Sequence, residues 1–274
     1  MKTPERQRIC KSNDKFQVIE SLKQNRRKRS EHREIFIEGI ESIKQALSAG
    51  ARVKKVLFAD YDRLSNWARE TIGHTRYEEL IQLENGLYSD LSDKTDPSEL
   101  IITIEYEKLR LADIALSSAL FILIFDRPSD NGNLGAVIRS ANSFGVDAVI
   151  TTGHCVDIYD PKVIRSSLGA VFHTRALHVE HFEELACWLA QAKRQYRLTI
   201  VGTDSAGDTS ITDPCLKRPI ALVLGNEAKG ISVRFKELSD CVVNIPLQGA
   251  VNSLNVACAG SIFLWRIAGN SAER

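Results

Sequence analysis

Polar residues that could do chemistry are concentrated in three segments, each of which directly follows an apolar run. These segments are residues 126–142, 224–231 and 244–259. In an α/β sheet, ligands bind where strands end and loops lead into helices, so polar groups in such segments can meet at one site. The segments contain neither the Walker A pattern nor the dinucleotide pattern GxGxxG. Two common phosphate-binding loops are therefore excluded.

The first segment offers Asn133 and Arg139. Asn133 is a suitable N-cap for a helix, which gives it a purely structural explanation. Arg139 stands about two turns into that helix beside Val137, Ile138 and Ala141, and an arginine buried there needs an anionic partner. On the residues alone, a clamp on a substrate phosphate and a structural ion pair both remain open.

The second and third segments add a carboxylate and an amide. Glu227 lies in a glycine-bracketed loop that either holds a small ligand through backbone groups or is a simple turn. In the third segment, Ser253 is predicted to cap an apolar helix that continues to Ile267. Asn255, in the first turn of that helix, needs a hydrogen-bonding partner that the sequence does not identify.

Regular alternation of strands and helices positions these segments. Strands are predicted at Leu120–Phe125, Ala148–Thr152, Leu198–Thr203, Ile220–Leu224 and Val242–Ile245, and helices are predicted to start near Asn133, Asp160, Phe182 and Ser253. Near-continuous Val, Ile and Leu strands alternating with helices predict an α/β fold with a mostly parallel sheet over residues 119–274.

A second, smaller α/β domain is predicted over residues 31–106. It has a strand at residues 36–38, a helix through Ile40, Ile43 and Leu47, and strands at Val53–Phe58 and Ile101–Ile104. Residues 107–118 are predicted to form a linker, and residues 1–30 a basic N-terminal arm.

The formal net charge of +1 hides an uneven distribution of charge. Residues 1–34 carry 11 Lys+Arg against 5 Asp+Glu, residues 35–118 carry 10 against 15, and residues 119–274 carry 15 of each. The basic excess includes the run Arg26, Arg27, Lys28 and Arg29. Such a run is typical of a polyanion contact, with a solvated helix face as the alternative.

Composition argues against several other classes. The longest apolar run, Ala119–Phe125, is far shorter than the ~20 residues of a membrane helix, and no secretory h-region occurs, so a cytoplasmic protein is expected. The six cysteines form no CxxC pair and are expected to be buried or incidental thiols. His173, His178 and His181 are expected at a strand edge and a helix start, so no metal site is predicted.

Together, in this order, the three segments resemble the motifs of the SpoU (TrmH) family of RNA ribose 2′-O-methyltransferases, within the SPOUT superfamily. The matching residues are Asn133, Gly135 and Arg139 in the first, Gly225, Glu227 and Gly230 in the second, and Ile245, Pro246, Ser253, Leu254 and Asn255 in the third. The resemblance is strong over residues 120–268. It extends more weakly through residues 31–104, which are similar to the L30e-like substrate-binding domain of two-domain members.

The resemblance implies a C-terminal sheet with a trefoil knot, S-adenosyl-L-methionine as cofactor, no metal, and a homodimer with the apolar helix in or near its interface. It further implies that three residues bind the cofactor, largely through main-chain groups: Gly225, Ile245 and Leu254. The implied catalytic residues are Arg139, Glu227, Ser253 and Asn255. The expected RNA-binding residues are Asn133, Arg139, Arg26, Arg27, Lys28 and Arg29.

Two departures from the family pattern weaken assignment to a subfamily, since Asn131 replaces a common proline and Ala257 a common serine. The leading hypothesis is 2′-O-methylation of structured RNA, ribosomal RNA before transfer RNA. The alternative from another class is an RNA-binding or assembly protein that has lost catalysis. A nucleotide hydrolase is disfavoured because the phosphate-binding lysine and carboxylates suited to magnesium are lacking.

Overall fold

The computed structural model describes residues 6–250 and 253–272, and the chain divides into two compact units. The first unit comprises the described part of Met1–Glu107 together with Tyr159–Phe172. The second comprises Lys108–Ile158 and the described part of His173–Arg274. No helix in these described ranges is long and apolar enough to span a membrane.

The secondary structure alternates between strands and helices along most of the chain. The strands are β1 (Arg6–Ile9), β2 (Glu34–Glu38), β3 (Val53–Phe58), β4 (Glu79–Leu83), β5 (Ile101–Glu105), β6 (Phe121–Asp126), β7 (Ala148–Thr152), β8 (Ala176–Val179), β9 (Thr199–Thr203), β10 (Thr209–Ser210), β11 (Ile220–Leu224) and β12 (Cys241–Asn244). The helices are α1 (Asp14–Gln24), α2 (Arg26–His32), α3 (Ile40–Ser48), α4 (Asn66–His74), α5 (Asn85–Leu91), α6 (Asn131–Ser143), α7 (Pro161–Ser166), α8 (Phe182–Tyr196), α9 (Val233–Leu238) and α10 (Val256–Ala272).

The first unit is built on a five-stranded sheet with the strand order β1-β4-β3-β5-β2. Strand β5 is antiparallel to β2 and β3, while β4 is parallel to β1 and β3. Helix α1 begins after Asn13, whose side chain accepts a hydrogen bond from Phe16 N. Its buried residues Phe16, Ile19 and Leu22 recur every three positions and pack into the core of this sheet.

The basic residues at the N-terminus belong to this unit. Arg29 in α2 is only 3% exposed, and its Nη1 donates to Leu22 O at 2.7 Å and Lys23 O at 3.0 Å. Its guanidinium therefore satisfies carbonyls at the C-terminal end of α1. Arg27 and Lys28 point to the surface, where each pairs with Glu31. Residues 6–30, which belong to the predicted arm over residues 1–30, are thus part of the folded sheet and its helices.

The segment Tyr159–Phe172 packs in the first unit, although the sequence prediction includes it in residues 119–274. Helix α7 contacts β2, and Arg165 pairs with Asp93 at 3.4 Å. A Cβ atom at Gly169 would lie 2.6 Å from Gln45 Cβ, so this turn lies directly against α3. These contacts depend on folding in three dimensions, which strand and helix periodicity does not report.

The second unit contains a seven-stranded sheet in the order β10-β12-β9-β11-β6-β7-β8, with every pair parallel. The prediction of an α/β fold with a mostly parallel sheet is therefore confirmed. All residues of the central strands β6 and β11 are buried, as expected for a sheet covered on both faces. The segment predicted as a linker contributes Leu111 and Ile114 to the core of this unit.

Replacing Arg29 by alanine should destabilise the protein more than replacing Arg27. The first change removes buried, charge-assisted hydrogen bonds to two carbonyls, which we expect to cost about 2 kcal/mol. The second removes an exposed ion pair worth less than about 1 kcal/mol. Thermal unfolding of the two variants, followed by circular dichroism, measures the difference. Equal midpoints would contradict the structural role of Arg29.

Candidate active site

The three polar segments meet beyond the carboxyl ends of β6, β11 and β12. We call residues 127–130 the first loop, residues 225–232 the second loop, and residues 245–250 with 253–255 the third loop. Strands β6 and β11 are hydrogen-bonded neighbours, with Phe125 opposite Leu224. The first and second loops therefore start side by side. The third loop follows β12, which lies beyond β9 in the same sheet, and its last residue, Asn255, contacts Asn133 near the start of α6.

The carboxylate of Glu227 joins the first and second loops. Its Oε2 accepts hydrogen bonds from Ser129 N at 3.2 Å and Ser129 Oγ at 2.7 Å, and its Oε1 accepts one from Asn133 Nδ2 at 3.3 Å. Partial burial opposes ionisation, but the hydrogen bonds from Ser129 and Asn133 outweigh it and lower the pKa of Glu227. Glu227 is therefore an anionic hydrogen-bond acceptor at neutral pH.

Asn133 and Asn255 extend this network to the third loop. Asn255 Nδ2 donates to Asn133 Oδ1 at 2.9 Å. The partner that Asn255 needs is therefore Asn133, which itself reaches Glu227. One chain of hydrogen bonds connects residues from all three motifs, although Asn133 and Asn255 are 122 positions apart in the sequence.

Both predicted helix caps in these segments are wrong. Helix α6 is capped by Asp130, whose Oδ1 accepts from Asn133 N at 2.7 Å. Helix α10 begins at Val256, and Asn255 Oδ1 accepts from Ala257 N at 2.8 Å. Asp and Asn are as favourable at the N-cap position as the Asn and Ser predicted there. The consequence is that the side chain of Asn133 is available to bridge Glu227 and Asn255.

A cavity of about 510 Å³ lies beside this network. Its lining includes every residue predicted to bind the cofactor, together with four of the other predicted site residues: Gly225, Ile245, Leu254, Asn133, Glu227, Ser253 and Asn255. The volume falls within the range of about 300–1,000 Å³ that is usual for small-ligand pockets. The cavity is therefore large enough for a nucleoside-sized ligand.

Close backbone packing shapes the second loop. Asn226 and Gly230 pair through both of their backbone N–H groups, at 3.0 and 2.9 Å. The chain consequently folds back over Gly225, where a Cβ atom would lie 2.2 Å from Gly230 C and 2.3 Å from Ile231 N. Any side chain at this position would force the loop out of its present shape.

Arg139 is the predicted catalytic residue that the structure does not place at the cavity. It lies six residues after Asn133 in α6, which corresponds to about 9 Å along the helix axis. Its side chain is exposed and has no ion-pair or hydrogen-bond partner among residues 6–250 and 253–272. Of the two explanations that the sequence leaves open for Arg139, the structural ion pair is absent from the described residues, and the phosphate clamp stays a prediction.

Sequence reasoning missed several polar residues of the site, among them Ser129 and Asp204. Ser129 supplies two of the hydrogen bonds to Glu227, and Asp204 lines the cavity. The hydrogen bonds from Lys236 and from Ala206 N lower the pKa of Asp204. Asp204 directly follows a strand that the sequence predicts, so the rule that ligands bind at strand ends identifies it. Ser129 has no comparable signal.

The cysteines and histidines do not assemble around a common point. Within the described ranges, no group of three or more His, Cys, Asp and Glu residues could hold a metal ion. His178 lies in the edge strand β8 and His181 precedes α8, as the sequence predicts. All six cysteines are free, and none is fully buried.

A parallel α/β sheet with a cavity at its carboxyl edge, lined by glycine and polar loops, is the arrangement in which α/β proteins bind small ligands. Comparison with known proteins identifies the family. The SpoU rRNA Methylase family matches residues 120–265, and the SpoU L30e-like domain matches residues 13–102. The chain belongs to the SpoU family of methyltransferases.

Individual relatives extend over nearly the whole chain. The 23S rRNA (uridine(2479)-2′-O)-methyltransferase of Streptomyces viridochromogenes is 34% identical over 278 residues, covering 99% of this chain and 96% of its own. A 23S rRNA (guanosine(2553)-2′-O)-methyltransferase of Bacillus subtilis is 25% identical and covers 89% of this chain and 92% of its own. The crystal structure of the SpoU methyltransferase AviRb from S. viridochromogenes in complex with AdoMet has a TM-score of 0.89 at 33% identity, covering 95% of this chain and 99% of that one.

The sequence prediction of the family is thereby confirmed. The predictions of an RNA methyltransferase and of S-adenosyl-L-methionine as cofactor are confirmed with it. The roles of the individual site residues stay predictions.

Replacing Gly225 by alanine should weaken the binding of S-adenosyl-L-methionine. Crowding of this kind commonly costs about 1–3 kcal/mol, which corresponds to a dissociation constant raised about 10- to 100-fold. Isothermal titration calorimetry with the cofactor measures the effect. Gly73→Ala in α4 is the matched control, because no atom lies within 4 Å of the added Cβ. Unchanged affinity in Gly225→Ala would show that the fold-back of the loop does not shape the binding cavity.

Proposed function

We propose that the chain methylates the 2′-hydroxyl of a ribose in ribosomal RNA, with S-adenosyl-L-methionine as methyl donor. The observation that carries this proposal is the hydrogen-bond chain Glu227–Asn133–Asn255, which joins three motif loops beside the cavity. Ribosomal RNA is favoured over transfer RNA because relatives from Streptomyces viridochromogenes and Bacillus subtilis are named for 23S rRNA. Their names specify uridine and guanosine respectively, so the target nucleotide is left open.

The cavity suits the cofactor in size and in the character of its lining. Gly225, Ile245 and Leu254 have no polar side-chain atom, so their contribution to recognition is the backbone N–H and C=O groups, which are suited to reading a purine edge. The cofactor supplies a methyl group that its sulfonium already activates. The protein must therefore hold the ribose hydroxyl in line with that methyl and assist the departure of its proton.

The remaining site residues have different roles in holding the loops, the ribose hydroxyl and the RNA phosphate. Glu227 stays anionic, and with Asn133 and Asn255 it fixes the relative positions of the three loops. Ser253 is exposed in the cavity lining and orients the hydroxyl. Arg139 clamps a neighbouring RNA phosphate and stabilises developing negative charge through its planar, positively charged guanidinium.

RNA contacts outside the cavity are assigned to the first unit. We assign residues 31–106 to RNA binding and residues 119–274 to catalysis, with a trefoil knot near the C-terminus and a cytoplasmic location. Arg26, Arg27 and Lys28 provide phosphate contacts. Arg29 is withdrawn from this group because its guanidinium is buried against the end of α1.

Incubation of the protein with radiolabelled methyl donor and ribosomal RNA tests the function. We expect label at one ribose, recognised because a 2′-O-methyl group blocks alkaline hydrolysis at that position. Transfer RNA should remain unlabelled under the same conditions. Cofactor binding without labelling of any RNA would instead support the non-catalytic assembly protein.

The same assay, run as a single turnover, tests the phosphate clamp. Arg139→Lys keeps the charge but loses the planar fork, so the rate should fall by at least about tenfold. Arg194→Lys in α8, also exposed, is the matched control. A wild-type rate in Arg139→Lys would exclude the bidentate clamp.

Helix α10 carries the residues that we assign to a homodimer interface. Trp265 is 63% exposed and Ile262 is 39% exposed, and their spacing places both on one face of the helix. Exposed large apolar side chains of this kind are typical of interaction surfaces.

Replacing Trp265 by glutamate should therefore separate the two copies. Loss of an interfacial tryptophan commonly costs about 2 kcal/mol or more. Light scattering coupled to size exclusion should give a dimer mass for the wild type and a monomer mass for the variant at micromolar concentration. Glu237→Ala on the surface helix α9 serves as the control. A wild-type protein that is monomeric and active would overturn the dimer.

A further inference from the structure

Arg127 adopts a backbone conformation that a side-chain-bearing residue rarely takes. Four non-glycine residues in the described part of the chain have positive φ: Arg33, Arg127, Leu168 and Arg197. Arg33 and Arg197 are C-caps, and Leu168 directly follows one, where left-handed backbone is common. Arg127, with φ of 55°, instead follows the central strand β6. Its conformation is therefore not explained by a helix end.

The side chain of Arg127 joins a buried carboxylate to the second loop. Its Nε and Nη2 donate to Asp126 Oδ2 at 3.1 and 2.9 Å, and Nη2 also donates to Gly230 O at 3.1 Å. Asp126 is 3% exposed and additionally accepts from Ser232 N at 2.8 Å and Thr152 Oγ1 at 3.0 Å. Arg127 and Asp126 thus hold the returning half of the second loop at two backbone positions.

The main chain of Arg127 holds the other half of the same loop. Its carbonyl oxygen accepts a hydrogen bond from Asn226 Nδ2 at 2.8 Å, and its N–H donates to Thr152 O at 3.2 Å. Asn226 Oδ1 in turn accepts from Ala228 N and Lys229 N, both at 3.0 Å. With this left-handed backbone, Arg127 contacts Asn226 through its carbonyl oxygen and Gly230 through its side chain. Between these two residues lies Glu227.

We propose that Arg127, anchored by Asp126, is a positioning residue for methyl transfer. It fixes the second loop at Asn226 and Gly230 and thereby sets the position of Glu227 against Asn133. Arg127 does not line the cavity, so it acts through the loop and not on the cofactor. The inference rests on the proposed function of this site and adds a residue outside the motif positions assigned above.

Three substitutions separate the guanidinium from the backbone conformation. Arg127→Gly tolerates positive φ but removes the side chain, Arg127→Ala removes the side chain and adds strain, and Arg127→Lys keeps a positive charge beside Asp126. Single-turnover methylation of ribosomal RNA is measured with cofactor and RNA saturating. We expect Arg127→Gly and Arg127→Ala to lose about 100-fold in rate, since small misplacements of catalytic groups cost this much. Arg127→Lys should recover part of that loss.

A second readout distinguishes positioning from a general loss of structure. Guanidinium or ethylguanidinium ion, added at millimolar concentration, should restore activity to Arg127→Gly but not to Gly225→Ala. Hydrogen exchange, followed by mass spectrometry, should increase in residues 225–232 and remain at the wild-type level in β7 and β8. Arg234→Ala, which removes a surface ion pair with Glu183, is the matched arginine control and should behave as wild type.

The possible outcomes bear separately on the proposed function and on the positioning role. A wild-type protein that methylates no RNA overturns the proposed function. An active wild type together with a fully active Arg127→Gly overturns the positioning role. A slow Arg127→Gly with unchanged exchange in residues 225–232 and no rescue by guanidinium also overturns it. Should Arg127→Gly fail to fold, Arg127→Lys decides, because wild-type rate and wild-type loop exchange in that variant contradict the proposal.

Discussion

The site depends on the parallel pairing of β6 with β11. Their register, from Phe121 opposite Ile220 to Phe125 opposite Leu224, brings the carboxyl ends of both strands to the same level. Because both strands are completely buried, a shift by one residue would alter the packing of every side chain in the centre of the sheet. The hydrophobic core therefore sets the distance at which the first and second loops face each other, and polar contacts between them can be short.

The two carboxylates near these loops, Asp126 and Glu227, have different surroundings. Asp126 is buried and is compensated by Arg127, Thr152 and Ser232 N, so its charge contributes to holding the loops together. Glu227 lines the cavity and accepts hydrogen bonds from the uncharged donors of Ser129, Asn133 and Asn226. A full negative charge therefore remains beside the cavity. Asp126 thus anchors the second loop while the negative charge of Glu227 stays beside the cavity.

The sequence predicts the parts of the protein whose signal is local. Strands β7 and β11 have the predicted bounds because continuous apolar runs report burial directly. The edge strands β1 and β10 are not predicted, since two to four residues with partial exposure carry little periodicity. The basic run is misleading at Arg29, because composition does not reveal that one of four adjacent cations caps a neighbouring helix. The contacts between motifs are accessible only through family resemblance, as Asn133 and Asn255 are distant in sequence.

The surroundings of Arg139 in α6 leave its guanidinium without a partner in the described part of the chain. Helix α6 contains no acidic residue, and the positions three and four residues away from Arg139 are Ala136, Gly135, Asn142 and Ser143, so no helical ion pair can form. The nearest carboxylates of the motif loops are engaged elsewhere, Asp126 by Arg127 and Glu227 by Ser129 and Asn133. An exposed guanidinium that has no partner within the described part of the chain keeps its full hydrogen-bonding capacity for a phosphate. The network that orders the loops thus leaves the guanidinium of Arg139 unpaired within the described residues, which is what the proposed phosphate clamp requires.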